Sequence, residues 1–479
     1  MKKQLQLLVF ILPLAIFSQT QLGINIDGEN WEDRFGSSAS ISGDGTVVAI
    51  GASNNGGNGA ASGHVRVFQF SGGAWLQLGS DIDGEAPSDQ SGRAVSLSND
   101  GFTVAIGTPF NDGNGTKSGH VRVYQFSGGS WSQLGVDIDG VSDSSSGDSI
   151  SMSGDGTIVA IGANSDDGNG TNSGHVRVYQ YNGGTWSKLG GDIDGETAGD
   201  LSGASVSLSN DGSTVVIGAL YNDGNGIDAG HVRIYRYSGG TWSQLGDDID
   251  GEAANDRSGS VSISSDGNIV AVGSFLNDGN GNASGSVRVF QYSGGSWSQL
   301  GGDIDGEAAD SRLGEFVAIS ANGSIVATGA PSGDNYVQVF QYIGGVWSKA
   351  GSNIDVNASS AGTSVSLSND GSKVAFGAPS NLGGKGSAYV FDVSGVILSS
   401  NEYVLSKFSM YPNPVKSQFN IELKDGLELQ KANVYNNLGQ LVATETKPVI
   451  RASNFADGLY YVEIITNKGK ATKKIAVKK

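Results

Sequence analysis

"NDGNGTKSGHVRVYQFSGGSWSQLGVDIDG" (Asn111–Gly140) is followed by "DDGNGTNSGHVRVYQYNGGTWSKLGGDIDG" (Asp166–Gly195) and "NDGNGIDAGHVRIYRYSGGTWSQLGDDIDG" (Asn222–Gly251). The Asp of the Ile-Asp pair recurs at 27, 83, 139, 194, 250, 305 and 355, so the chain says the same thing seven times. A fixed period of roughly 55 residues is the mark of a repeat architecture in which each unit buries its faces against its neighbours.

Each unit carries four strand signals. In the second, "RAVSLS" (Arg93–Ser98) and "FTVAIG" (Phe102–Gly107) flank an Asn-Asp-Gly turn. "HVRVYQF" (His120–Phe126) then leads through Ser-Gly-Gly to "SWSQLGVDI" (Ser130–Ile138). Alternation of period two and β-branched residues read as strands. Asp-Gly and Gly-Gly supply the positive φ that tight hairpins require. Four antiparallel strands repeated seven times predict an all-β, seven-bladed β-propeller. "QTQLGINIDG" (Gln19–Gly28) aligns with the outer-strand pattern "WLQLGSDIDG" (Trp75–Gly84), while the last copy has only three strand signals. Residues 19–27 are therefore expected to complete the last blade and remove the open edges of the ring.

Composition narrows the chemistry. With 76 Gly and only 8 Pro the chain is turn-rich, and the absence of Cys excludes disulfides, thiolate metal sites and a thiol nucleophile. Lys2 and Lys3 precede an apolar run from Leu7 to Phe17, a signal-peptide pattern (1–18) with cleavage expected near Ser18 or Gln19. That run is too short to span a bilayer, and no later stretch is apolar enough for a transmembrane segment. The net charge of −19 is unevenly spread: residues 401–479 hold 12 Lys+Arg against 7 Asp+Glu, leaving 17 against 41 in the first 400. An acidic body argues against a nucleic-acid partner.

Trp75, Trp131, Trp186, Trp242, Trp297 and Trp347 all begin outer strands, which points to packing between blades. Trp31 is out of phase with them and is the ligand candidate. His64, His120, His175 and His231 open the third strands of four blades and read as structural. Arg66, Arg122, Arg177, Arg233 and Arg288 are expected to face a neighbouring blade. The "NDGNG" loops read first as Asn/Gly turns, and second as weak calcium candidates through Asp112, Asn114, Asp167, Asn169, Asp223, Asn225, Asp278 and Asn280. "DIDGE", with Asp81, Asp83 and Glu85, reads as a strand end with a turn. No nucleophile motif, phosphate loop or H-E-x-x-H spacing occurs, so no catalytic residue and no certain cofactor are assigned.

The repeat resembles the FG-GAP family of integrin α-chain propellers and bacterial surface proteins, over roughly residues 19–395. The resemblance rests on Phe35-Gly36, Ser91-Gly92, Leu313-Gly314 and their counterparts, and on "GAS" at Gly51, "GTP" at Gly107 and "GAP" at Gly329 and Gly377. It implies a binding or adhesion propeller. The calcium loop of that family is not carried over, because here the corresponding connection is only "GDG", "NDG", "SDG" or "ANG".

After a linker at 396–404, residues 405–479 resemble the type A C-terminal sorting domain of the type IX secretion system of Bacteroidota. The marks are Tyr411-Pro412-Asn413-Pro414, "NNLGQLV", Gly458-Leu459-Tyr460 within "DGLYYV", and the basic end. From the residues alone this segment is a small Ig-like β-sandwich. The resemblance implies the type IX machinery as a partner, and secretion or outer-surface attachment. The sequence expectation is a non-enzymatic, exported binding or adhesion propeller whose surface glycan or protein ligand is unnamed. The alternative is a carbohydrate-active hydrolase or lyase with carboxylates in the propeller channel.

Overall fold

The computed structural model describes residues 19–343, 345–397, 404–405, 407–424, 426–436, 440–467 and 469–479. The signal-peptide segment and most of the expected linker lie outside them. The chain forms two compact units divided between Val396 and Ile397.

The first unit is a propeller of seven antiparallel sheets. Blade 2 is representative. Its inner strand Ala94–Leu97 pairs with Thr103–Thr108, which pairs with His120–Ser127, which pairs with the outer strand Ser130–Gln133. The inner strands that surround the axis are Phe35–Ile41, Ala94–Leu97, Ser149–Met152, Ser205–Leu208, Ser258–Ile263, Phe316–Ile319 and Ser364–Leu367.

One local expectation is corrected. The outer strand is not continuous over Ser130–Ile138; it breaks after Gln133 and resumes at Ile138–Asp139, both pieces pairing with His120–Ser127. Gly135 has φ +80°, and a Cβ there would lie 2.9 Å from Cδ1 of Trp186 in the next blade. The break thus makes a seat for the neighbour's indole, whose Nε1 donates to the Leu134 carbonyl at 2.7 Å. The same bond joins Trp75 to Leu22, Trp131 to Leu78, Trp242 to Leu189, Trp297 to Leu245 and Trp347 to Leu300. Only a Gly at this position tolerates both the left-handed backbone and the ring.

Blade 7 combines Ser364–Leu367, Lys373–Ala378 and Ser387–Asp392 with two N-terminal pieces, Thr20–Gln21 and Ile26–Asp27, as its outer strand. Gln19 stands where the other blades carry Trp. Its Nε2 donates to the Ala350 carbonyl of blade 6 at 3.3 Å, reproducing the indole bond.

The core is a set of layers between adjacent blades. Val47, Ala49, Val65 and Val67 of blade 1, for example, pack against Val95, Leu97, Val104 and Ile106 of blade 2. Each such valine, leucine or isoleucine contributes about 1.5–3 kcal/mol when fully buried. Backbones also meet directly. A Cβ on Gly51 would lie 2.0 Å from the Gly92 carbonyl oxygen of the next blade, and one on Gly377 would lie 1.9 Å from that of Gly36 across the closing seam. These close approaches explain why one glycine pair recurs in every copy.

The innermost strands present a free edge to the axis, where unpaired N–H groups would be costly. Serine hydroxyls of the preceding blade accept them: Leu97 N–H donates to Ser40 Oγ, Met152 to Ser96, Leu208 to Ser151, Ile263 to Ser207, Ile319 to Ser262 and Ile41 to Ser366. The Ser-x-Ser rhythm of these strands is therefore inter-blade bonding.

The second unit is a β-sandwich. Phe408–Tyr411, Gln418–Leu423 and Val449–Arg451 form one sheet; Leu441–Glu445, Leu429–Asn436, Gly458–Thr466 and Gly469–Val477 form the other. Phe408, Phe419, Val434, Ile450, Val462 and Ile464 fill the space between them.

Candidate functional site

The two ends of the propeller differ in kind. At one end lie the tight turns between inner and second strands. Their peptides form a closed circle: Gly43 N–H donates to Asn99, Asn99 to Gly154, Gly154 to Asn210, Asn210 to Ser265, Ser265 to Ala321, Ala321 to Asn369, and Asn369 back to Gly43. Asn99 Nδ2 donates to Asn210 Oδ1 at 2.6 Å, and Asn369 Nδ2 to Asn99 Oδ1 at 3.4 Å, across the axis. The aspartates of these turns are engaged as well. Burial pushes Asp44, Asp155, Asp211, Asp266 and Asp370 up, but hydrogen bonds from Ser and backbone neighbours such as Ser42 and Thr46 outweigh it and hold them below the usual carboxylate range.

At the other end, the second-to-third-strand loops meet the segments that lead from one blade into the next, since Asp139 pairs with His120 and His120 with Thr108. The candidate calcium residues all sit here, as parts of turns. Asp112, Asp167, Asp223 and Asp278 each accept a backbone N–H five residues on, from Lys117, Asn172, Asp228 and Ala283. Asn114, Asn169, Asn225 and Asn280 point their Nδ2 donors at the carbonyls of Gly140, Gly195, Gly251 and Gly306. An amide turned donor-outward is oriented to bind carbonyls rather than a cation. Trp31 is 75% exposed at this end. Its ring edge lies over Gly383 of blade 7, where a Cβ would come within 2.2 Å of the indole.

Channel chemistry is sparse. None of the seven inner strands carries a titratable side chain. Carboxylates sit just before two of them. Asp148 pairs with Arg93 of the neighbouring blade at 3.3 Å and accepts Asn164 Nδ2 at 2.9 Å. Glu315 accepts Ser332 Oγ at 3.0 Å, its Oε2 is buried without a hydrogen-bond partner among the described residues, and burial pushes its carboxyl up.

Sequence reasoning treated histidine, arginine and "DIDGE" separately; the fold brings them together. His64 faces Asp81 of its own blade and Glu29 of the segment entering it. Glu85, His120 and Asp137 form the same group, as do Glu196, His231 and Asp248. In each, Arg66, Arg122 or Arg233 stands 3.4–3.6 Å from the glutamate and donates to the carbonyl of Asp27, Asp83 or Asp194 in the preceding blade. The arginines thus cross to a neighbour as expected. Burial lowers His64, His120 and His231, with His120 at about 4, so these rings are neutral at pH 7.

Blade 3 differs. Val141 replaces the glutamate, Arg177 turns to Asp192 (3.1 Å), and His175 turns to Asp166 (3.0 Å). Burial pushes Asp192 up, but hydrogen bonds from Arg177 and Lys188 hold it down at about 2. The signal that could have located these groups was the shared absence of one glutamate and presence of one extra aspartate, Asp166, in the same repeat.

In the sandwich, the quoted motif residues mark turns and strand starts. Asn413 Oδ1 accepts the Ala476 N–H at 3.0 Å, and the Tyr460 hydroxyl donates to the Ala456 carbonyl. Tyr411 and Leu459 are half-exposed, and Gly458 begins its strand at φ +155°. Both Tyr411–Pro412 and Asn413–Pro414 are cis.

Residues 409–478 match the family model of the secretion system C-terminal sorting domain. The tail is thus a type IX sorting domain, which indicates export to the cell surface or beyond. No curated protein matches the chain. Among solved structures, Kuenenia stuttgartiensis hydrazine synthase is similar at 14% identity and a TM-score of 0.51, over 76% of this chain and 96% of that one. A Bacteroides uniformis protein assigned as a 6-phosphogluconolactonase reaches 0.47 at 14% identity, over 67% and 85%. At such identity the likeness to hydrazine synthase is one of fold alone. Among the described residues no helix is long and apolar enough to cross a membrane.

Proposed function

We propose that the chain is a non-enzymatic, FG-GAP-like binding or adhesion propeller, carried out of the cell by its sorting domain. Its ligand, a surface glycan or protein, is taken at the end bearing Trp31 and the second-to-third-strand loops. The observation that carries this reading is the composition of the axis: seven inner strands of Ser, Ala, Gly and apolar residues, with no acid or base among them. An enzyme site needs unlike residues in unlike roles converging on one point. Near-identical blades instead favour repeated weak contacts, whose combined avidity can exceed a single affinity by about 10²–10⁴. In this reading the glycine pairs that carry the FG-GAP resemblance are the inter-blade backbone contacts.

The test is a glycan and surface-protein array with the full chain, run beside polysaccharide digests. Saturable binding without turnover, weakened by Trp31→Ala, supports the proposal. Turnover of a polysaccharide that disappears in Asp148→Asn or Glu315→Gln overturns it in favour of a hydrolase or lyase.

A further inference from the structure

The three histidine–carboxylate groups have a spacing that hydrogen bonding does not account for. His64 Nδ1 stands 3.7 Å from Asp81 Oδ2, His120 Nδ1 3.6 Å from Asp137 Oδ2, and His231 Nδ1 3.7 Å from Asp248 Oδ2. A hydrogen bond between such groups would close to about 2.7–3.2 Å. The glutamate oxygen completes each group, with all three atoms within 4.8 Å of one another. Ligands held about 2.0–2.2 Å from a tetrahedral ion lie about 3.3–3.6 Å apart.

The three histidine side chains are 2% exposed, and each aims Nδ1 between two carboxylates. A metal on Nδ1 places the ring proton on Nε2, which has no hydrogen-bond partner among the described residues, a cost that the metal bonds must outweigh. Blade 3 lacks the set: Val141 stands for the glutamate, Arg177 and Lys188 take the equivalent carboxylate Asp192, and His175 turns instead to Asp166, where the other three blades carry Asn55, Asn111 and Asn222. Among the described residues the three-ligand group occurs only in blades that keep both the glutamate and the histidine.

We propose that Glu29–His64–Asp81, Glu85–His120–Asp137 and Glu196–His231–Asp248 are three equivalent sites for a first-row divalent cation such as Zn²⁺. Each has one imidazole nitrogen and two carboxylate oxygens as ligands and a fourth position open to water. Imidazole with carboxylate suits such ions, whereas Ca²⁺ takes six to eight oxygens. Every site joins two blades, because its glutamate belongs to the segment arriving from the preceding sheet. The first site also lies at the closing seam, since Glu29 follows the N-terminal strand pieces of blade 7. One arginine stands beside the two carboxylates of each site, so each keeps a net negative charge: Glu29 and Asp81 against Arg66, Glu85 and Asp137 against Arg122, Glu196 and Asp248 against Arg233. The inferred role is that of metal clips between blades.

The experiment is calorimetric titration of the chelator-treated full chain with Zn²⁺, with thermal unfolding in parallel. Three Zn²⁺ per chain and a rise in Tm are expected, because a ligand that binds only the native state stabilises it. The glutamates are exposed enough that Glu29→Gln, Glu85→Gln and Glu196→Gln together should leave the fold intact; that variant should lose the saturable binding and the Tm shift. Val141→Glu with Asp166→Asn should raise the count to four. No saturable Zn²⁺ binding overturns the proposal. So does a count unchanged by the triple glutamate variant, or one that stays at three in the double variant. Equal binding of Ca²⁺ that survives His64→Gln, His120→Gln and His231→Gln would remove the imidazole from the site and overturn it too.

Discussion

Deleting Gln19–Gly28 should open the ring. The segment supplies blade 7 with its outer strand, pairing Thr20 with Asp392, Gln21 with Phe391, Ile26 with Ala388 and Asp27 with Ser387. It also accepts three bonds from neighbours: Trp75 Nε1 at Leu22 O, Arg66 at Asp27 O and Ser387 at Asp27 Oδ1. Ile26 is buried beside Phe35, Ile50, Phe68 and Val390. Losing the isoleucine costs about 1.5–3 kcal/mol, and each bond that leaves a partner unsatisfied about 1–3 kcal/mol more. The sum, roughly 4.5–12 kcal/mol, rivals the whole stability of an ordinary domain at about 5–15 kcal/mol. The deleted protein should therefore melt far lower and elute from a sizing column as aggregate through its exposed blade edge. Ile26→Ala, which keeps the strand, should cost about 2–4 kcal/mol. An unchanged melting curve for the deletion would refute the closure argument outright.

Removing residues 405–479 should leave the protein in the periplasm; full-yield appearance on the surface or in the medium, followed by fractionation, would contradict the sorting role. Gly218→Val should abolish folding, because even a Cβ there would sit 1.9 Å from the Gly259 carbonyl oxygen; a soluble variant with wild-type circular dichroism would count against the backbone contact. Stability should fall on acidification in two stages. His64, His120 and His231 are lowered in the folded state, so the unfolded chain binds more protons below about pH 6.5 and stability drops as pH falls from there, for His120 down to about 4. The turn aspartates, also lowered, add stability above the unfolded carboxylate pKa of about 3.9 that is lost as pH falls below it. Thermal midpoints measured from pH 8 to 3 test both; a flat profile above pH 5 would contradict the first stage.

The architecture was legible because it is written as periodicity: seven Ile-Asp pairs, four alternating runs per unit, and a missing strand at one end matched by a spare at the other. The indole packing was also readable, since a Trp at one strand position in six units has little else to do. Two kinds of feature were not readable. The broken outer strand was hidden because "SWSQLGVDI" alternates well enough for one strand, and only the incoming Trp186 shows why Gly135 must bend. The histidine–carboxylate groups were hidden because their members lie about 17 and 35 residues from one another on two blades. Pairing patterns within one repeat say nothing of what the preceding repeat delivers.

Two departures from symmetry occur in coupled sets, which helps separate residues kept for the ring from residues free for a ligand. In blade 3 the loss of a glutamate at Val141 goes with a rerouted Arg177 and an added Asp166 for His175. In blade 6, Gln338 replaces the arginine and donates to Asn353, which donates to Glu307, while Lys349 bonds the same glutamate. Each change is answered by another within the inter-blade layer, because a buried charge or donor left alone there is costly. Nothing among the described residues answers the exposed ring of Trp31 in this way: only one blade has it, and its apolar face lies open beside Gly383. A large apolar side chain outside the compensated layer adds nothing to the ring's pairing scheme. That makes it the residue whose removal should leave melting unchanged while lowering binding, and the one that best separates a role in recognition from a role in the fold.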